Sequence, residues 1–471
     1  MTAPPLTIRN LTSTPLELKL IERFETRTHH GLSSFTHNIT SLASNATAPR
    51  LADNAESFAR QDVDVHLDPF ATQNTDIKTS ERSPSEILRL TFEQDGQRYR
   101  LDTPTPGSAS DVLVPLTPDP RRQYTAVYLP DTSFLTVYSS ANLQSWMKEL
   151  ADATPISALS IPGTHNSPTH HKALPSVRCQ AVSPREQLDN GVRFFDIRVK
   201  PENPNDPADD RLELVHGVFP ISLTGPKHFR KLVDQVQDFL RQNPSETLIM
   251  SIKREGPGQA TDQQLSCILR DHYAGDTAQW YTEPRQPSLG EARGKIVLLR
   301  RFALDGRVAQ EWGGRGWGLN AENWAYNTAE DTCGDVCVQD FCEVLETENI
   351  ERKIEVCCAH FERAGAAVCP VPGFTADAEN PVPPGPIYLN FLSASNFWKV
   401  GCWPEKIAAK LNPAVVRFLC EKHDCEGGPE RKGDGGVGIV VCDWVGKDGD
   451  WDLVRCIVGM NARLEMMEGL N

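Results

Sequence analysis

The sequence predicts an α/β protein: an irregular (β/α)8 TIM barrel preceded by a small all-β, sandwich-like domain. Apolar runs of strand length recur near 158–162, 192–198, 212–216, 247–253, 295–300, 316–320, 386–392 and 437–443, the number of strands that a closed barrel of this kind takes. Helical stretches near 226–242, 260–274, 340–365, 404–421 and 451–464 fill several of the gaps between them. Before residue 138 the pattern changes to period 2 punctuated by turn residues, as in antiparallel sheets. The run at 316–320 is the weakest, and the link after 198 is too short for a helix, which is why the barrel is expected to be irregular.

The β domain is read over 1–138. Leu16-Glu-Leu-Lys-Leu20 alternates strictly, and Leu88, Leu90 and Phe92 alternate up to Asp95-Gly96, after which Tyr99 and Leu101 continue the pattern. Two such runs around Asp-Gly predict a hairpin. The polar stretch from about 33 to 85 is expected to form long loops, and the product is a sandwich with no chemistry of its own. Leu143, Trp146, Met147 and Leu150 fall at helical spacing and predict a short amphipathic helix in a linker over 139–155, with Trp146 a packing residue. The barrel then occupies 156–471.

A chain of 471 residues suits one barrel and one smaller domain. The net charge of −15 argues against nucleic acid and against electrostatic adsorption to an acidic membrane. No apolar run approaches the roughly 18 to 20 residues that span a bilayer, and Met1 to Ile8 lacks the blocks of a signal peptide, so a cytoplasmic protein is expected. Sequons at Asn10, Asn38 and Asn45 are then chance matches. The 13 cysteines all lie from Cys179 onward, and an odd number fits free thiols. Cys333 with Cys337, and Cys357 with Cys358, lack the paired spacing of a zinc site, so no structural metal is expected.

The residues that carry chemistry cluster at strand ends. The apolar run ending at Ile161 is followed by Pro-Gly-Thr-His165-Asn166-Ser167, which delivers a histidine where a barrel presents its catalytic groups. In the next run Phe194, Asp196 and Arg198 share one face. An acid and a guanidinium buried together are costly unless they pair or bind something. Leu212-Glu-Leu-Val-His216-Gly217 brings a second histidine, and Lys253, Arg301 and Asp443 also fall at or near strand ends. Taken locally, Asp443 also reads as a helix cap and Lys253 as a solvated strand end.

These motifs resemble phosphatidylinositol-specific phospholipase C, the bacterial type of X-domain barrel. The resemblance runs from Ile156 to about Leu464 through Ser-Ile-Pro-Gly-Thr-His165, Phe195-Asp-Ile-Arg198, Val215-His-Gly217, Glu246-Thr-Leu-Ile-Met-Ser-Ile-Lys253, Ala292-Arg-Gly-Lys-Ile-Val-Leu-Leu-Arg-Arg301, Val338-Gln-Asp340 and Tyr388-Leu-Asn-Phe391. It leaves out the first 150 residues. It implies an enzyme that cleaves an inositol phospholipid at a membrane surface, binding the membrane peripherally and transiently, with cyclic inositol phosphate and diacylglycerol as products. By resemblance, His165 is the base for the inositol 2-hydroxyl and His216 the acid for the leaving oxygen. Asp443 orients the base, Arg198 contacts the phosphate with Asp196 holding it in register, and Lys253, Arg301 and Asp340 line the inositol pocket. The residue types suit these tasks: a base, a cation for phosphoryl oxygens and an acid suffice for a phosphodiester.

The sequence departs from that pattern at two places. Asn166 stands where the bacterial type has an aspartate supporting the acid histidine, and Cys342 where the pocket has an aromatic. Calcium-dependent relatives carry Asn after the first histidine, but they carry a carboxylate where this chain has Arg198. A fixed positive charge there disfavours a divalent cation, so no cofactor is expected. A metal-dependent barrel of the glycerophosphodiesterase or sphingomyelinase D kind is disfavoured by the same arginine. A non-catalytic lipid- or sugar-binding module is disfavoured because His165, Arg198, His216 and Asp443 are all present. The sequence specifies no oligomeric state.

Overall fold

The computed structural model describes residues 4–25, 51, 55–79, 86–104, 108–380, 382–423 and 433–467. The N-terminal part is two five-stranded sheets packed face to face. One is built on Pro5–Leu11, Phe134–Tyr138 and Thr125–Leu129, the other on Leu16–Glu25, Glu86–Gln94 and Gln97–Thr103. Ile8, Leu18, Leu90, Phe92, Tyr99 and Val137 reach the shared core from both sheets and are fully buried. The hairpin expected at Asp95-Gly96 is present, with positive φ at both residues as its twist requires.

Part of the polar stretch expected to be loop is strand, over Ala59–Leu67 and Thr72–Lys78. Each lies at the edge of its sheet and is largely exposed, with only Val63, Val65, Leu67 and Ile77 turned to the core amid polar residues. The rest of that expected loop, with Asn38 and Asn45, lies mostly outside the described residues. Asn10 is buried, and its amide donates to the carbonyls of Thr14, Leu67 and Asp68.

The C-terminal part is a curled, mainly parallel sheet. Its order is Trp280–Tyr281, Ile296–Arg301, Leu248–Arg254, Phe194–Pro201, Ile161–Thr164, Ile439–Cys442, Ile387–Phe391 and Val336–Gln339, with Leu319–Asn320 also alongside Ile296–Arg301. The curl brings the ends together at one point, where the Asp335 N–H donates to the Asn320 carbonyl and the Asn320 N–H to the Asp335 carboxylate. Among the described residues no strand ladder joins Leu319–Asn320 to Val336–Gln339.

Three expectations need correction. Leu212–His216 is not a barrel strand: it folds back antiparallel on Phe194–Pro201, as the short link before it requires. Its place in the parallel sheet goes to Val336–Gln339, a four-residue strand buried on both faces that carries no alternation to detect. The helix expected from 340 begins only at Asn349, and the expected helix near 143–150 is a 3₁₀ turn, Trp146–Glu149. Trp146 is a packing residue, its indole N–H donating to the Gly191 carbonyl.

The sandwich sits on the helices Pro404–Glu421 and Asp452–Gly459. Leu11, Phe70, Val127, Leu129 and Tyr138 belong to the same buried cluster as Val416, Leu419 and Leu453. The buried Arg9 guanidinium donates to the carbonyls of Cys420 and His423, while Asp452 accepts from the Ala109 and Ser110 N–H groups. At the start of the strands Arg193 and Glu246 form a fully buried ion pair, with the guanidinium also donating to Leu188, Val192, Leu143 and Gln144 carbonyls. That fully partnered charge braces the strand entries, leaving the opposite ends for the site. No helix among the described residues is long and apolar enough to cross a membrane.

Candidate active site

Sheet register brings the first pair together. Ile161–Thr164 and Ile439–Cys442 run parallel with Thr164 opposite Cys442, and the His165 N–H donates to the Cys442 carbonyl. The next residues on the two strands, His165 and Asp443, therefore meet, with Nδ1 2.9 Å from Oδ1. Gly163 permits this strand to lie against its neighbour, since a Cβ there would come within 2.9 Å of the Phe194 ring. Asn166 turns the chain in a left-handed conformation (φ 41°), which asparagine tolerates. Its N–H then points to Asp196 Oδ2 at 3.1 Å, while the Ser167 N–H donates to the Asp196 carbonyl.

A second row follows from the same geometry. Arg198, Lys253 and Arg301 are register partners across three adjacent strands, so three cations stand side by side. Such a row is stable only if carboxylates interleave it. Asp196, fully buried, accepts from Arg198 through Oδ2 and from Arg301 through Oδ1, both at 3.2 Å. Burial pushes its carboxyl up, but Arg198 and Arg301 prevail and hold it well below the usual carboxylate range. Glu255 takes Arg198 at 3.2 Å and Lys253 at 3.1 Å, and also accepts the Gly217 N–H. The Arg301 guanidinium lies 3.7 Å over the Trp324 ring, whose indole N–H donates to Asp340 at 3.0 Å.

His216 arrives on the antiparallel hairpin, not on a parallel strand. Its Nδ1 is 3.0 Å from the Val177 carbonyl, which makes that nitrogen the N–H, and its ring lies 5.6 Å from that of His165, nearly perpendicular to it. Burial alone would lower the His165 pKa, but Asp443 and then the neighbouring Cys179 carry it up to about 10. Burial, Arg198 and His165 bring His216 down to about 3. At neutral pH the pair thus holds one proton, on His165.

These groups open into a cavity of about 610 Å³ lined by His165, Arg198, His216, Lys253, Arg301 and Asp340, all expected from sequence. Asn166 is buried, and neither side-chain amide atom has a hydrogen-bond partner, so it makes no side-chain bond to His216. Cys342 lines the cavity and brings no ring, but Trp324 and Tyr326 do. Glu255 and Trp324 escaped sequence reasoning. Glu255 lies two residues beyond Lys253 and continues its strand face, a signal that was there to use; Trp324 lies in an irregular segment with none. The described cysteines are free thiols.

Residues 153–302 match the family model "Phosphatidylinositol-specific phospholipase C, X domain". A 1-phosphatidylinositol phosphodiesterase of Listeria monocytogenes is 33% identical over 179 residues, 35% of this chain and 50% of that one, so this match spans about half of the relative. The corresponding Staphylococcus aureus enzyme is 24% identical over 333 residues, covering 68% of this chain and 95% of its own. A solved structure of the S. aureus phosphatidylinositol-specific phospholipase C is 23% identical with a TM-score of 0.51, covering 68% of this chain and 97% of that one, which shows a shared fold.

The proton placement can be measured on the protein alone. In an NMR titration of the histidines the His165 ring is expected to stay charged through neutral pH and lose its proton near pH 10, while His216 stays neutral down to about pH 3. Asp443→Asn removes the charge that opposes burial, so it should move the His165 midpoint downward. A His165 midpoint near the ordinary 6.5 in the unaltered protein would contradict the assignment.

Proposed function

We propose that the protein is a phosphatidylinositol-specific phospholipase C-like phosphoric diester hydrolase or lyase, cleaving phosphatidylinositol or a related inositol phospholipid by attack of the inositol 2-hydroxyl. One observation carries this reading. Two imidazoles 5.6 Å apart, each oriented through its Nδ1, face one cavity beside a guanidinium. A phosphodiester needs those three functions in that proximity.

The resting proton on His165 must leave before that ring can act as base. A phosphodiester anion beside Arg198 neutralises the charge that holds His216 down, so the pair's single proton moves to His216. His165 then takes the 2-hydroxyl proton, and the imidazolium it becomes is stabilised by Asp443. Arg198 offers its remaining N–H donors to the phosphoryl oxygens, and His216 gives its proton to the diacylglycerol oxygen. Cyclic inositol phosphate is released first, and hydrolysis to the open monophosphate runs the relay in reverse. The inositol hydroxyls fall to Lys253, Arg301, Asp340 and Glu255, whose charges favour hydroxyl partners. Trp324 supplies the ring surface that Cys342 does not.

We take 1–138 as an accessory β domain, 139–155 as a linker, and 156–471 as a catalytic barrel whose sheet closes across the Asn320–Asp335 contact. Because the sandwich and the barrel bury side chains against each other, tests belong on the full chain. Each of His165→Ala and His216→Ala should lower vesicle turnover by about 10² to 10⁴. Arg198→Ala should do at least as much, whereas calcium chelation should leave activity unchanged. Asp196 and Glu255 are already engaged by cations, and Arg198 supplies the positive charge a metal would bring. Near-normal activity in either histidine variant, or loss in chelator that calcium restores, would remove the assignment.

Peripheral attachment to the lipid surface fits the mouth of the cavity, where Leu345, Phe397 and Trp398 are exposed, the last at 88%, with Val400 beside them. An acidic chain gains more from inserting these side chains than from charge. Phe397→Ala combined with Trp398→Ala should lower activity on vesicles by at least about 10-fold, given the transfer energy of two aromatics, and leave turnover of a soluble inositol phosphodiester intact. Equal losses on both substrates would place these rings in substrate binding instead.

A further inference from the structure

Between the two histidines lies a side chain the mechanism does not use. Cys179 is fully buried, and its Sγ is 3.7 Å from His216 Nδ1. One ring nitrogen of His165, one of His216 and this sulfur all lie within 4.8 Å of one another. Zinc with one thiolate and two imidazoles at ordinary bond lengths needs its donors about 3.4 Å apart, so an inward movement of about an ångström completes the set.

The backbone holds the thiol in place from both sides. The Cys179 N–H donates to Thr169 Oγ1 at 3.1 Å, and its carbonyl accepts the Trp444 N–H at 2.9 Å. Gln180, the next residue, donates through its side chain to the carbonyls of His165 and Cys442, tying the segment to both flanking strands. The histidine rings are also oriented from outside, one by the Asp443 carboxylate and one by the Val177 carbonyl, as second-sphere groups orient metal-bound imidazoles. The nearby charges balance, with Asp443, Asp196 and Glu255 against Arg198, Lys253 and Arg301.

We propose that His165, Cys179 and His216 form a site for a soft divalent cation, zinc above all, and that metal bound there shuts the enzyme off. The inference rests on the reading of the two histidines as the acid–base pair. A neutral imidazole has a single lone-pair nitrogen, and ligation takes it from each ring, leaving neither a base nor a group able to hold the transferable proton. On binding, Cys179 releases its thiol proton and His165 its resting imidazolium proton to solvent. The fourth metal position faces the cavity, where water or a phosphoryl oxygen completes the coordination. Two nitrogens and a sulfur select zinc over calcium or magnesium, which require oxygen donors.

The test titrates zinc into the full-length chain, with turnover as one readout and the spectrum of the cobalt(II)-loaded protein as another. Zinc should inhibit, calcium should not, and a zinc chelator should restore activity. Cobalt should give a thiolate-to-metal charge-transfer band that is absent from Cys179→Ser, and the same variant should weaken zinc inhibition by more than about 100-fold, since even outer-sphere changes cost 10- to 100-fold. Activity is compared with and without zinc within each protein, and Cys179→Ala serves if the serine variant fails to fold. Zinc inhibition that persists within about threefold in the cysteine variants, or a cobalt spectrum they leave unchanged, overturns the site. The cobalt readout needs no turnover, so an inactive protein that still shows the Cys179-dependent band defeats the functional reading and not the metal site.

Discussion

A single buried carboxylate holds the site in order. Asp196 has no exposure to solvent, yet it stays ionised because it lies between the guanidiniums of Arg198 and Arg301 and accepts the Asn166 N–H. Each of those contacts places something else. The Asn166 contact fixes the turn that follows His165. The Arg198 contact sets the guanidinium that faces the cavity, and through it the low proton affinity of His216. The Arg301 contact positions the guanidinium lying over Trp324, which in turn binds Asp340. Removing one partner from a buried charge network costs several kcal/mol, so these groups move together or not at all.

The two ends of the curled sheet's strands divide the work. At the strand entries Arg193 and Glu246 are fully enclosed and fully partnered, a structural use of charge. At the strand exits the charges are also paired, but Arg198 and Lys253 keep part of their surface open to the cavity. Paired charges with some exposure can exchange a partner for a substrate; enclosed ones cannot. Among the described residues the sandwich adds nothing to the cavity wall, and it is anchored to the helices through Arg9 and Asp452.

Much of this was legible in the sequence where periodicity and chemistry coincide. The Asp95-Gly96 hairpin, the strand ending at His165 and the Asp196–Arg198 alternation all announce themselves. What was hidden had physical reasons. Ala59–Leu67 and Thr72–Lys78 are exposed edge strands and look polar. Val336–Gln339 is short and buried on both faces, so it shows no alternation. Leu212–His216 looks like any other strand, because apolar alternation does not report pairing direction. Trp324 comes to the cavity, and Cys179 to the two histidines, from irregular segments, where spacing says nothing about neighbours. The resting proton on His165 depends on Asp443 prevailing over burial there and on burial beside Arg198 at His216, which residue types alone do not reveal.

The central claim is that the substrate's own hydroxyl attacks the phosphorus, and the first product reports this directly. Purified full-length protein acting on mixed vesicles containing phosphatidylinositol, followed by ³¹P NMR of the aqueous phase, should show cyclic inositol phosphate accumulating before any open monophosphate. Release of the open monophosphate from the start, with no cyclic precursor, would contradict the account, as would a water-soluble product retaining glycerol.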